Sequence, residues 1–211
     1  MAEMFKDRID AGWQLANKIK EQYPVSHDIK NGIILALPRG GVVVGAEVAK
    51  VLNMPLDIIV TRKIGVPGNP EYAVAAVSEH ELIVSSRENP DKKYLEEETK
   101  NERQEIARRV REYRGDRPEI DLKNKTAIIV DDGLATGLTM EVALREVRQK
   151  NPRRIILAVP VAPPETIERL KPLADRTVVL NIEPMFFAVG QFYTDFSQIS
   201  DLEVKNLLKD Y

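Results

Sequence analysis

The sequence predicts a single α/β domain over residues 1–211: a doubly wound, mainly parallel sheet with helices on both faces, and a small hood drawn from the terminal segments at 1–30 and 181–211. Three observations predict it. Short runs of aliphatic and β-branched residues alternate with helical patterns along the chain. The second half runs strand, helix, strand, helix, strand with no linker, repeat or low-complexity tract between them. At 211 residues and 43% hydrophobic content the chain is ample for one well-buried core.

Phe5, Ile9, Trp13, Ala16 and Ile19/Lys20 fall close to one face of an N-terminal helix, with Trp13 read as packing. Ile33 to Leu37 reads as a strand, Val43 to Leu52 as a helix and Ile58 to Thr61 as a second strand. Val74 to Val77 and Leu82 to Ser85 are close enough to pair as a hairpin. Asn89-Pro90 offers a cap and first turn for a long charged helix to about Tyr113, whose apolar stripe is Leu95, Ile106, Val110 and Tyr113. Ala127 to Val130 is apolar throughout, as for a strand buried on both faces. A helix over Thr139 to Lys150, a strand over Ile155 to Val161, a helix after Pro163-Pro164 and a strand over Thr177 to Leu180 complete the alternation. Ser200 with Glu203 forms a capping box for a last helix holding Leu207 and Leu208.

The chemistry concentrates at the carboxyl end of the Ala127 to Val130 strand. Residues 126 to 139 join the buried run to Asp131 and Asp132, then to a turn of small and hydroxyl residues that opens a helix. Open α/β sheets bind ligands at the carboxyl ends of their strands. Two acceptor side chains there suit a pair of vicinal sugar hydroxyls. Beyond them Gly133, Leu134, Ala135, Thr136, Gly137, Leu138 and Thr139 can aim backbone N–H groups, a helix N-terminus and two hydroxyls at one phosphate. The bland alternative is an ordinary strand-to-helix turn whose aspartates only cap the helix. A second anion loop comes after the first strand, where Pro38, Arg39, Gly40 and Gly41 combine a bidentate donor with glycines that let the backbone approach a ligand. After the second strand, Arg62 and Lys63 lead into a stretch rich in Gly, Pro and Asn up to Tyr72, read as a loop able to move over a ligand.

Composition excludes several classes. A formal charge of -2 gives no overall positive field for nucleic acid. The absence of cysteine removes disulfides, thiolate nucleophiles and Cys-ligated zinc, and two histidines far apart, at 27 and 80, argue against a histidine-based metal site. No apolar run reaches membrane-spanning length and the N-terminus lacks a signal peptide's apolar core, so the expectation is a cytoplasmic protein without membrane partners. No Gly-x-Gly-x-x-Gly follows an early strand, which disfavours a dinucleotide oxidoreductase.

The 126 to 139 segment resembles the phosphoribosyl-diphosphate (PRPP) signature of the type I phosphoribosyltransferases. Pro-Arg-Gly-Gly, Arg-Lys-x-Gly-x-Pro-Gly, Asp-Asp-Gly-Leu-Ala-Thr-Gly and the Phe-Ala-Val-Gly stretch near the C-terminus together make the chain similar to stand-alone phosphoribosyltransferase-domain proteins of bacteria. The resemblance implies a transferase of nucleotide metabolism that moves a 5-phosphoribosyl group from PRPP, with Mg²⁺, to a small and nucleobase-like acceptor, releasing pyrophosphate. It implies that Pro38 to Gly41 hold the pyrophosphate, in a loop where the family often carries a cis peptide, and that Arg39, Arg62 and Lys63 stabilise its departure from under a mobile loop. By the same match Phe187 stacks on the acceptor, Val189 offers it backbone contacts, and Asp195 joins Asp131 and Asp132 as a metal contact. A homodimer is expected, since similar proteins commonly form one.

The chain departs from the purine enzymes at three points. Ala135 stands where they place a proposed general base, Pro163 where they place a lysine that reads the base, and Asp195 lies one residue further from its Gly. The acceptor therefore stays open. Five aromatic residues within positions 186 to 196 fit a flat acceptor, a hydrophobic satellite under the hood or a dimer interface. A non-catalytic module that senses PRPP or a nucleotide is the alternative to the enzyme.

Overall fold

The computed structural model describes residues 4–23, 29, 31–86, 88–209 and 211. His27, and the parts of the expected hood at 1–3, 24–28, 30 and 210, lie outside the described residues. Five parallel strands form the central sheet in the order β2-β1-β6-β7-β8. They are β1 (Gly32–Ala36), β2 (Leu56–Ile58), β6 (Thr126–Val130), β7 (Arg154–Ala162) and β8 (Arg176–Ile182). Between β2 and β6 the chain inserts a three-stranded antiparallel flap of β3 (Arg62–Val66), β4 (Asn69–Val77) and β5 (Leu82–Val84), then the long helix α3 (Lys92–Arg114).

Alternation along each sheet strand divides the core in two. Ile34, Ala36, Ile128, Val130, Ile156 and Ala158 face α1 (Arg8–Gln22), α2 (Gly40–Leu52), α3 and α6 (Asp201–Leu208). Ile33, Leu35, Ala127, Ile129, Ile155 and Leu157 face α4 (Leu138–Gln149) and α5 (Pro164–Leu170). A strand apolar at every position is what burial on both faces requires. The chain leaves β1 through α2 toward β2 on one side, and leaves β6 through α4 toward β7 on the other. The adjacent strands β1 and β6 are thus the topological switch point, where such sheets open a crevice.

Four expectations give way. The second strand, expected over Ile58 to Thr61, spans Leu56–Ile58, and the long helix is capped by Asp91, past Asn89-Pro90. The N-terminal helix buries Ala11, Gly12, Leu15, Ala16 and Ile19, while Ile9 and Trp13 are 54% and 56% exposed. The reason is steric. A side chain on Gly12 would come within 2.8 Å of the Val44 carbonyl oxygen and of Glu47 Cβ, so α1 meets α2 through its glycine and the bulky indole turns outward. The stretch after Arg62, read as a loop, is the β3–β4 hairpin, turned at Pro67-Gly68 with Gly68 at φ 83° and irregular in register around Gly65. The hairpin expected from Val74 to Ser85 does form, as β4 against β5. Ser200 and Glu203 cap α6 reciprocally.

Among the described residues no helix is long and apolar enough to cross a membrane. Gly12→Val should push α1 off α2 and cost about 1–3 kcal/mol of stability, as overpacking does. A urea midpoint equal to that of the unsubstituted protein would refute this packing of the helix pair.

Candidate active site

At the switch point β1 and β6 run in register, Ala36 beside Val130, and the Leu37 N–H donates to the Val130 carbonyl at 3.0 Å. The loop leaving β1 therefore lies against the loop leaving β6. A side chain on Gly40 would overlap the Asp132 carboxylate, and one on Gly41 would sit 2.8 Å from Asp131 Oδ1. Glycine at both positions is thus a packing requirement of the two acids. Asp131 Oδ1 accepts the Asp132 N–H at 2.8 Å, and Asp132 Oδ2 accepts from Arg8 Nε at 2.7 Å. The Tyr193 hydroxyl donates to the Asp132 carbonyl oxygen at 2.6 Å. Burial, then the adjacent Asp132 charge, hold Asp131 well above the ordinary carboxylate range. Burial also raises Asp132, against the opposing charge and hydrogen bond of Arg8.

Two helix N-termini frame the acids. α2 starts at Gly40, directly after a cis peptide between Pro38 and Arg39. α4 starts at Leu138, behind Gly137 in the left-handed region at φ 69°. Gly133 and Leu134 are buried, with the Leu134 N–H on the Val161 carbonyl at 2.9 Å, whereas Ala135 and Thr136 are exposed and Thr139 is half-buried. The loop is braced from α5. Thr166 Oγ1 donates to the Ala135 carbonyl at 2.7 Å, and Arg169 donates to the Thr136 carbonyl while pairing with Glu141. Each N-terminus aims partial positive charge at the same edge.

A profile of the phosphoribosyl transferase domain matches residues 3–197 of this chain. The chain belongs to that family. A Mycobacterium tuberculosis protein assigned by name to the phosphoribosyl transferases is 39% identical over 207 residues, which are 96% of this chain and 46% of that protein. The chain thus spans about half the length of the curated relatives it matches. The crystal structure of TT1426 from Thermus thermophilus superposes with a TM-score of 0.81 at 43% identity, covering 98% of each chain. A hypoxanthine-guanine phosphoribosyltransferase from Bacillus anthracis shares the fold at 12% identity and a TM-score of 0.50, over 89% of this chain and 86% of that one.

In this phosphoribosyl transferase domain two of the three cations singled out in the sequence, Arg39 and Arg62, pair with carboxylates other than Asp131 and Asp132. Arg39 Nη1 lies 3.8 Å from Asp201 Oδ1 at the start of α6. Arg62 grips Glu102 of α3 with both ends of its fork, at 2.7 and 3.4 Å. Lys63 lies in β3 opposite Ala76. Asp195 is exposed and accepts from the Ser197 N–H and hydroxyl at 3.0 and 2.5 Å, which holds its carboxyl below the usual range. The structure does not gather it with Asp131 and Asp132.

The aromatic stretch separates into two parts. Phe192 and Tyr193 are buried with Phe5, and Phe186 packs on Phe192 at 5.0 Å between ring centroids. Backbone bonds from Phe5 to Phe192 and from Thr194 to Phe5 tie this cluster to the N-terminal segment. Most of the rings are packing. Phe187 is the exception at 89% exposed, and Val189 packs beside Gly133. The Gln191 amide takes up the N–H groups of Phe187 and Ala188 and donates to the Met185 carbonyl, so this loop is self-satisfied. Arg8 is a site residue that the sequence does not single out. Its one signal there is a lone arginine flanked by acids on the first turn of an apolar helix face.

A separate cluster of Glu79, His80 and Glu146, compact enough for a metal, lies at the β4–β5 turn. Its contacts are hydrogen bonds: Ser78 Oγ, the His80 N–H and His80 Nδ1 all meet the Glu146 carboxylate, at 2.7, 3.1 and 2.8 Å. This clamp fastens the flap to α4. The bond to Glu146 raises the His80 pKa, so the pair's contribution is complete below the ordinary histidine value and fades as pH rises through the raised one. Between about pH 6 and pH 9 the urea midpoint should therefore fall more in the parent than in Glu146→Gln. Parallel profiles would show that the clamp contributes nothing to stability.

Proposed function

We propose that the chain transfers a 5-phosphoribosyl group from PRPP to a small, nucleobase-like acceptor with release of pyrophosphate. One observation carries the reading: two adjacent carboxylates and two helix N-termini share one sheet edge, with glycines where side chains would collide with the acids. Carboxylates accept from vicinal hydroxyls, and open helix N-termini bind phosphate. In this assignment Asp131 and Asp132 take the ribose hydroxyls, the turn from Gly133 to Thr139 takes the 5-phosphate, and Pro38, Arg39, Gly40 and Gly41 take the pyrophosphate. Phe187 and Val189 line the acceptor side. Arg39, Arg62 and Lys63 neutralise the leaving group, which is where a dissociative displacement at C1 needs help. Arg62 has to leave Glu102 to do so.

Magnesium fits this donor set. Mg²⁺ uses one or two carboxylates and fills its remaining positions with water and substrate oxygens. Asp131 and Asp132 offer two, one of them already shared with Arg8, so the donor set suits an ion carried in on PRPP. Once bound it would add positive charge at the pyrophosphate. Asp195, whose Oδ1 takes both Ser197 bonds, could join only through Oδ2 and by moving toward the pair. With Ala135 in place of an acid, no carboxylate at that position takes the acceptor's proton, which favours an acceptor that is already acidic.

A sensor of PRPP or a nucleotide is the second reading, and the pairing of Arg62 with Glu102 and of Arg39 with Asp201 favours it, because both cations are engaged inside the protein. Calorimetric titration with PRPP and Mg²⁺, followed by assay of pyrophosphate release across nucleobases, separates the two: binding with base-dependent release supports transfer, and binding without release supports sensing. Replacing both acids, Asp131→Asn with Asp132→Asn, should abolish PRPP binding while the melting transition persists; unchanged affinity would sink the assignment. For Arg39→Ala we expect turnover to fall by about 10²-fold or more with ribose 5-phosphate binding retained. Equal loss of both would make Arg39 structural.

A further inference from the structure

We infer that Arg8, on the first turn of α1, is a positioning residue of the ribose site, holding Asp132 in the orientation that receives a sugar hydroxyl. The inference rests on the PRPP reading of the site. Arg8 is the cation seated on the acid pair, it stands 124 positions away in sequence from Asp132, and its side chain is only 9% exposed.

Its grip is defined on several sides. Nε donates to Asp132 Oδ2 at 2.7 Å, and Nη1 donates to the Ser197 carbonyl at 2.8 Å. The guanidinium carbon lies 3.8 Å above the centre of the Phe196 ring. That ring in turn packs on Tyr193, at 5.1 Å between centroids, and Tyr193 holds the Asp132 carbonyl. Gly40 closes the remaining side, because a side chain there would meet both Asp132 and Arg8 Nε. One carboxylate oxygen of Asp132 is thereby fixed by a guanidinium that is itself anchored to a carbonyl and a ring, and the other oxygen's direction is set with it.

Two different roles are possible for a cation on a ligand-binding acid: it orients the acid, or it occupies the acid until the ligand displaces it. The anchoring decides between them here. An arginine that must swing away would have to give up a backbone carbonyl, a stacked ring and a buried ion pair together, and a released guanidinium would leave Asp132 buried without its counter-ion. Lysine could supply the charge but not the planar fork that serves Asp132 and Ser197 at once.

The test is PRPP titration with Mg²⁺ on the full chain for the parent, Arg8→Met, Arg8→Lys and Phe196→Leu, with melting transitions for each. We expect Arg8→Met to weaken PRPP binding by about tenfold or more, Arg8→Lys to recover part of that loss, and Phe196→Leu to show a smaller loss with Arg8 intact. Kinetically the change should fall on the KM for PRPP, with the KM for the acceptor unmoved. Tighter PRPP binding in Arg8→Met would make Arg8 a competitor and overturn the inference. So would unchanged affinity, or equal losses in the Met and Lys variants that track a lowered melting temperature. If Arg8→Met does not fold, Arg8→Lys and Phe196→Leu decide, and parent-like affinity in both overturns the inference. A parent protein that does not bind PRPP fails the functional reading itself, which separates the two failures.

Discussion

The carboxyl edge of the sheet answers to one constraint: two consecutive carboxylates sit where the sheet's interior ends. Breaking a buried charge pair by removing one partner typically costs about 3–5 kcal/mol, so the acids dictate what may surround them. Asp131 turns to its neighbour's N–H, Asp132 takes the guanidinium of Arg8, and the start of α2 approaches through two glycines. Even so, burial lifts both carboxyls above their ordinary range.

The architecture supplies the place for this pair. A parallel sheet sends successive helices to one face or the other, and between β1 and β6 that choice reverses, so the two loops diverge and leave a crevice. The register of Ala36 with Val130 sets the two loops level. From outside the sheet, α5 braces the loop before α4 through Thr166 and Arg169, and the clamp on Glu146 fixes the flap beside it. These loops are thereby held by bonds to regular elements, which gives them a defined geometry.

Much of this is legible in the chain because it is local. The run from Ala127 to Val130 reads as a doubly buried strand, and the acids and small residues after it read as a turn into a helix, without knowledge of anything distant. The capping box at Ser200 and the hairpin of β4 with β5 are visible for the same reason. Where two local patterns compete, the sequence misleads. The first helix reads as burying Ile9 and Trp13, and only the close approach of α2 shows that Ala11, Gly12 and Leu15 face the core instead. Gly65, Pro67 and Gly68 suggest a loop, yet Arg62 to Val66 finds a partner in β4 and becomes a strand.

The sequence by itself determined the α/β alternation, the adjacent acids with the small-residue turn after them, and the family, since each is written in contiguous residues whose physical preferences act within a few positions. Tertiary structure alone decided which charges meet. Arg8 reaches Asp132, Arg62 turns to Glu102, Arg39 faces Asp201, and the aromatic stretch is spent largely on packing against Phe5. Such pairings depend on distances across the fold, and Coulomb energy in a partly desolvated site depends on both separation and burial, neither of which is encoded by spacing along the chain.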